Sequence, residues 1–194
     1  MKVLGIVGSP RKGGNTDTLV REVLKGANSK GAETEKVYLG DLNIRPCDAC
    51  GLCSENGKCV VKDDFQLIFQ KIKESDGVVL GSPIYCSTVT AQTKALIDRI
   101  DFSQVIMKTT SSKRKLFLSR LKGGKKGVIV CVGDQSSVQD FKHTVWVMTL
   151  FFKDLNIEVV DKVIGSRLSK LDDVMKSTDL LRNAFEAGIK LVEG

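Results

Sequence analysis

The chain has 194 residues, 42% hydrophobic and 27% charged. These are the proportions of an ordinary folded domain; they exclude a disordered or collagen-like chain, and the length points to one domain over residues 1–194. Thirty basic against 23 acidic residues leave a net charge of +7. No apolar run approaches the ~18 residues that span a bilayer, so no membrane partner is expected. Apolar residues 3–7, after Met1 and Lys2, are too few for the ~7–15 residues of a signal-peptide core. They read as a strand, and a cytoplasmic location is expected.

In chain order, residues 2–7 form a buried first strand ending at Gly8. Leu19, Val20, Val23, Leu24 and Ala27 then mark one face of a helix, with Asn15 or Thr16 as N-cap and Gly31 as stop. Residues 34–39 are a second strand, and residues 40–63 a long loop. Asp64 opens a helix with Phe65, Leu67, Ile68, Phe69 and Ile72 apolar, ended by Ser75-Asp76-Gly77. A third strand, 78–80, enters Gly81-Ser82-Pro83, and a helix follows over 91–101. Residues 127–132 are a fourth strand, 137–154 a helix, and 157–164 a fifth strand. Leu180, Leu181, Ala184, Ala187, Leu191 and Val192 lie on a last helix. Strands alternating with helices predict a parallel sheet covered on both faces. Five of them fit a doubly wound α/β fold of flavodoxin-like type, strand order 2-1-3-4-5, with the long loop inserted after strand 2.

Residues 102–126 fit no part of that alternation. Between 103 and 126 lie Lys108, Lys113, Arg114, Lys115, Arg120, Lys122, Lys125 and Lys126, with no acidic residue. Such a run is a solvated face, an insertion, an oligomer contact, or a surface for an acidic protein or anionic cofactor. A nucleic-acid-binding or regulatory module is a further reading, but no nucleic-acid motif accompanies the run, and no nucleic-acid partner is expected.

Two loops carry ligand chemistry. The first strand runs into Gly8-Ser9-Pro10-Arg11-Lys12-Gly13-Gly14-Asn15-Thr16 and then a helix. Glycines and a helix N-terminus turn backbone N–H groups toward an anion. The dinucleotide pattern G-x-G-x-x-G is absent, and the triphosphate pattern fails because Gly14 and Asn15 stand where Lys and Ser/Thr are required. Hydroxyls from Ser9, Thr16 and Thr18, the Arg11 guanidinium, the Asn15 amide and backbone donors around Gly14 suit a terminal monophosphate. The alternative is a plain β–α connection, which nine residues exceed in length. A doubly wound sheet binds ligands where strand order reverses, which brings in Pro83, Ile84, Tyr85, Cys86 and Ser87 after the third strand as a seat for a planar ring. Cys86 either touches that ring or packs within its loop; Cys131 reads as a small buried hydrophobe and His143 as a solvated or packed side chain.

The most informative spacing is Cys47-x₂-Cys50-x₂-Cys53-x₅-Cys59. Thiolates select zinc or iron–sulfur. A structural zinc site usually separates two ligand pairs by a dozen or more residues, whereas the C-x₂-C-x₂-C run is closer to that of ferredoxins, which serves a 4Fe–4S cluster. Zinc, and thiols with a redox role or none, remain open on spacing alone.

Gly8-Ser9-Pro10-Arg11 with Gly14-Asn15-Thr16, and Gly81-Ser82-Pro83-Ile84-Tyr85 followed by Lys94-Ala95-Leu96-Ile97-Asp98-Arg99, resemble the NAD(P)H-dependent FMN reductase family. The four cysteines in the loop after strand 2 resemble its iron-sulfur flavoprotein branch. The resemblance implies FMN, with its phosphate at Ser9, Arg11, Asn15 and Thr16 and its ring against residues 83–87. A third flavin loop follows strand 4 in the family; here it reads Val132-Gly133-Asp134-Gln135-Ser136-Ser137 and offers Gly133. It also implies a 4Fe–4S cluster on Cys47, Cys50, Cys53 and Cys59, a ferredoxin or another small electron donor as partner, and a homodimer or dimer of dimers. The function expected is an electron-transfer oxidoreductase. The alternative is an NAD(P)H-dependent FMN or quinone reductase whose cysteine loop binds zinc or nothing. The cysteine loop and the flavin loops all leave the carboxyl end of the sheet, one strand or ~4.8 Å apart. A cluster close to its own flavin is therefore expected, or closer still to a neighbouring subunit's.

Overall fold

The computed structural model describes residues 1–193 except Ser111, Lys113, Arg114, Ser136 and the Val138 side chain. The chain order is β1 (Lys2–Val7), α1 (Asn15–Ser29), β2 (Glu33–Tyr38), α2 (Phe65–Glu74), β3 (Gly77–Pro83), α3 (Ala91–Gln104), β4 (Val105–Thr109), β5 (Lys115–Ser119), β6 (Lys125–Val132), α4 (Lys142–Asp154), β7 (Ile157–Gly165) and α5 (Thr178–Glu193). Five strands form one sheet in the order β2-β1-β3-β6-β7, and every pairing in it is parallel. This is the flavodoxin-like order expected, with a hairpin interposed before the fourth sheet strand.

Alternation along the strands builds two cores. Leu4, Ile6, Val78, Leu80, Ile129 and Cys131 face α2, α3 and α4 through Ile68, Ile72, Leu96, Ile100, Phe151 and Phe152. Val3, Val7, Val79, Val128 and Val130 face α1 and α5 through Leu19, Val23, Ala27, Ala184 and Leu191. On that second side the helices nearly touch: a Cβ on Gly188 would lie 1.9 Å from the Val23 carbonyl oxygen, so only glycine permits the approach.

Three expectations change. Gly14, not Asn15 or Thr16, is the N-cap of α1, and no side chain caps it. Gly81-Ser82-Pro83 is strand, paired with residues 130–132 of β6. Pro83 is tolerated because it ends the strand. The stretch 102–126 holds the rest of α3, the start of β6 and an antiparallel hairpin, β4 with β5; Lys113 and Arg114 lie outside the described residues. The hairpin was missed because it is exposed on both flanks of its strands, at Met107, Leu116, Phe117 and Leu118, so no inward–outward alternation marks it. No helix among the described residues is long and apolar enough to cross a membrane.

Candidate functional site

Four segments at the carboxyl rim of the sheet enclose one cleft of about 190 Å³. Ser9, Arg11, Gly14, Asn15 and Thr16 come from the β1–α1 loop. Pro83, Ile84 and Tyr85 follow β3, Val132, Gly133 and Asp134 end β6, and Leu168, Ser169 and Leu171 follow β7. The first three groups were legible in the sequence, although Ser136 lies outside the described residues. The fourth was not. Its signal is topological: in a parallel sheet every strand delivers its following loop to the same rim.

The first loop is preshaped by Asp17. Its carboxylate, 3% exposed, accepts from the Gly13 N–H at 2.7 Å, Lys36 Nζ at 2.6 Å and the Tyr38 hydroxyl at 2.8 Å. Burial pushes this carboxyl up, but the bonds from Lys36, Gly13 and Tyr38 outweigh it and hold it below the usual carboxylate range. The Arg11 N–H donates to Ser9 Oγ at 3.1 Å. Thr18 makes the first intrahelical bond, to the Gly14 carbonyl. The helix start therefore keeps uncapped N–H groups, a ready anion seat. Asn15 is committed elsewhere: its Nδ2 donates to the Lys170 carbonyl at 2.6 Å, and its Oδ1 accepts from the Val174 N–H at 3.0 Å. Its side chain ties the first loop to the segment after β7.

The second loop ends in a tight turn. Tyr85 and Thr88 exchange both backbone hydrogen bonds across Cys86 and Ser87, whose φ values are 48° and 61°. Two left-handed central residues define a type I′ turn, a conformation that favours Asn-Gly and strains side chains of other kinds. Cys86 is exposed there rather than packed within its loop. Cys86 and Ser87 form the tip and do not line the cleft; Tyr85, 45% exposed, does. Beside Gly133, Gln135 holds a buried Oε1 without a hydrogen-bond partner among the described residues. Orphan helix amides, a free guanidinium, an exposed aromatic face and an unspent buried acceptor fit a phosphate-bearing planar ligand such as FMN.

The cysteine loop is tied at its neck: the Asn43 N–H donates to Asp64 Oδ2 at 2.7 Å, and the Asp64 N–H to the Asn43 carbonyl at 3.1 Å. Beyond the neck Cys47, Cys50, Cys53 and Cys59 line a single hollow with Val60, Val61, Arg99 and Phe102. Gly57 has φ 72° and sits where a Cβ would lie 3.0 Å from the Ser103 carbonyl oxygen, which fixes the return of the loop against α3. Gln104 Nε2 donates to the Gly57 carbonyl at 2.8 Å, and Arg120 NH2 to that of Ser54. No three His, Cys, Asp or Glu side chains among the described residues close on one point as for a single ion. Burial, then the neighbouring Cys59, Cys47 and Cys50, push the Cys53 thiol up. Four thiolates so placed repel one another until a cationic group sits between them, and an all-sulfur donor set suits iron–sulfur chemistry.

The two sites are not one strand apart. Thr90, at the head of α3, donates through Oγ1 to the Gly8 carbonyl at 2.7 Å, so that helix starts at the cleft rim. Arg99 and Phe102 reach the hollow from eight and eleven residues past Ala91. At 1.5 Å per residue the backbone positions of Arg99 and Phe102 lie about 12–17 Å down the helix from Ala91. The loop leaves the carboxyl edge but folds back along α2 and α3. Of the lone residues, Cys131 is buried, with its thiol pushed up to about 12 by burial, and His143 is exposed.

A flavodoxin-like sheet with its connecting loops gathered at the switch point defines a class of doubly wound α/β proteins that bind ligands at that rim. The chain belongs to the NADPH-dependent FMN reductase family, an oxidoreductase family whose model matches residues 1–151. It is 52% identical over 99 residues to an iron-sulfur flavoprotein of Methanocaldococcus jannaschii, a match covering 51% of each chain. It is 40% identical over 99 residues to an iron-sulfur flavoprotein of Methanosarcina thermophila, covering 51% of this chain and 52% of that one. The chain thus spans about half the length of the curated relatives it matches. Among solved structures it superposes on a flavone reductase with a TM-score of 0.74 at 21% identity, over 100% of this chain and 62% of that one. That likeness concerns the fold.

Proposed function

We propose that residues 1–194 act as one flavodoxin-like unit, an electron-transfer oxidoreductase with FMN in the rim cleft and a 4Fe–4S cluster in the thiol hollow. The observation that carries this reading is that all four cysteines of the C-x₂-C-x₂-C-x₅-C run line one hollow. When bound, FMN exchanges one or two electrons and the cluster one at a time, so the pair converts between one-electron carriers and two-electron acceptors.

The chain supplies binding and orientation. Ser9, Arg11, Gly14 and Thr16 hold the phosphate, with the Asn15 backbone at the helix start; Pro83, Ile84, Tyr85 and Gly133 shape the ring seat, with Cys86 and Ser87 at its edge. The four thiolates hold the cluster. A ferredoxin or similar small acidic donor is the proposed partner for the basic stretch in and after the hairpin, where Lys108, Lys115 and Lys122 are exposed. The placement of the hollow's α3 residues about 12–17 Å down that helix from its start favours a dimer or dimer of dimers, in which a neighbour shortens the path.

Purification without oxygen, with iron, sulfide and FMN counted, tests the reading. About four iron, four sulfide and one FMN per chain are expected, and the Cys53→Ala form should have its flavin reduced more slowly by a one-electron donor. A chain with FMN but no iron, reduced rapidly by NADPH, overturns the cluster reading in favour of a plain reductase.

A further inference from the structure

We infer that Arg99 tunes the thiol hollow: its guanidinium donates to Cys59 and raises the reduction potential of the group held there. The inference rests on the 4Fe–4S reading above. Arg99 is 1% exposed, one of the largest fully buried side chains. NH1 donates to Asp63 Oδ2 at 2.5 Å and to the Arg45 carbonyl at 3.3 Å. NH2 donates to the Val61 carbonyl at 3.2 Å and to Cys59 Sγ at 3.3 Å. The fork lies 4.2 Å over the Phe65 ring.

A buried ion pair is weak support for stability, because an apolar pair of similar volume often does as well. The charge is therefore explained better by what it faces. Asp63, 1% exposed in its side chain, is itself held by the N–H groups of Arg45 and Phe65. The pair forms a fixed dipole with its positive end at Cys59 and its negative end turned away.

A second observation points to a ligand. Arg99 Nε is buried without a partner among the described residues, on a residue that lines the hollow. An orphan buried donor is costly, and an acceptor within the hollow would satisfy it. Hydrogen bonds to the sulfurs and local net charge set the potential of iron–sulfur groups. Reduction adds one negative charge, which a buried donor stabilises more than an exposed one does. Arg99 rises from the same helix whose head is bonded to the cleft rim, so its backbone position is set by the fold, while its guanidinium is held by Arg45, Val61 and Asp63 of the cysteine loop.

The test compares wild type, Arg99→Gln and Asp63→Asn, all purified without oxygen, by iron and sulfide content and by redox titration followed at cluster absorbance and by electron paramagnetic resonance. Arg99→Gln should lower the midpoint by at least a tenfold change in the reduced-to-oxidised ratio, about 59 mV for one electron. Asp63→Asn, which removes the counter-charge and leaves Arg99, should raise it. If Arg99→Gln does not retain iron, the sign of the Asp63→Asn shift decides. Unchanged midpoints, shifts of the same sign, or failure of both variants to load iron overturn the inference, the last because the pair then serves only to hold the loop. Wild type without iron removes the cluster reading first and is recognised before any variant is compared.

Discussion

The cleft and the thiol hollow are built by opposite means. The cleft is made of strand ends: its walls are the short connections of a five-stranded parallel sheet, and its first loop is shaped by the buried Asp17, which accepts from the Gly13 N–H, Lys36 and Tyr38. The hollow is made by a loop that closes on itself at Asn43 and Asp64 and is then pinned by side chains from outside it, Arg99 and Gln104 of α3 and Arg120 after β5. A site on sheet ends is shaped whenever the sheet folds. A site on a long excursion needs anchors, and the anchors here are buried or half-buried cationic and amide groups. Each site should therefore fail without the other.

The largest expected effect breaks the hollow alone. Replacing Cys47, Cys50, Cys53 or Cys59 by Ala should remove most of the iron, since each gives one thiolate, with FMN content retained; Cys131→Ala should leave iron unchanged. Equal iron in wild type and Cys53→Ala would show the ligand assignment to be wrong.

The next breaks the cleft alone. Asp17→Asn removes the carboxylate that gathers Gly13, Lys36 and Tyr38, at a cost of about 2–3 kcal/mol in urea unfolding, the scale of hydrogen bonds to a charged group. FMN should be lost in preference to iron. The pH dependence has a definite sign: the folded carboxyl is held below the ordinary aspartate value of about 3.9, so its contribution is complete above about pH 4 and is lost as pH falls through the folded value. A variant whose acid unfolding between pH 5 and pH 2 matches wild type would contradict the network.

Arg11→Ala should weaken FMN binding by about 2 kcal/mol, roughly thirtyfold, because it deletes one charge-assisted bond and leaves the backbone seat intact. Fluorescence titration of flavin-free protein measures it. Asn15→Ala should lower thermal stability as well as affinity, since that side chain bridges to Lys170 and Val174; an affinity loss with unchanged stability would mean the bridge carries nothing.

The smallest effect sharpens the comparison by repairing the cleft. Cys86→Asn with Ser87→Gly gives the type I′ turn its preferred residues and should stabilise the chain by about 1 kcal/mol, or roughly 2–4 °C in Tm. Iron should not change. A lower Tm would mean that the turn is not strained in solution.

Much of this protein is decided locally. Val-rich strands alternating with amphipathic helices imply a parallel sheet, and the glycines and hydroxyls after β1 imply an anion seat, because backbone preferences and periodicity act within a few residues. The cysteine spacing likewise marks a thiol site. What the tertiary structure decided depends on contacts between distant segments. The fourth wall of the cleft comes from residues 168–171, some 150 residues beyond the phosphate loop, to which Asn15 is bonded. The β4–β5 hairpin is exposed and lacks the pattern that burial imposes. Arg99 stands between Asp98 and Ile100 and reads as part of a family motif; only folding brings it to Cys59, 40 residues away, with Asp63 behind it. The hollow also lies well down α3 from the rim, because strand order fixes where a loop starts, while its length and its long-range anchors fix where it ends.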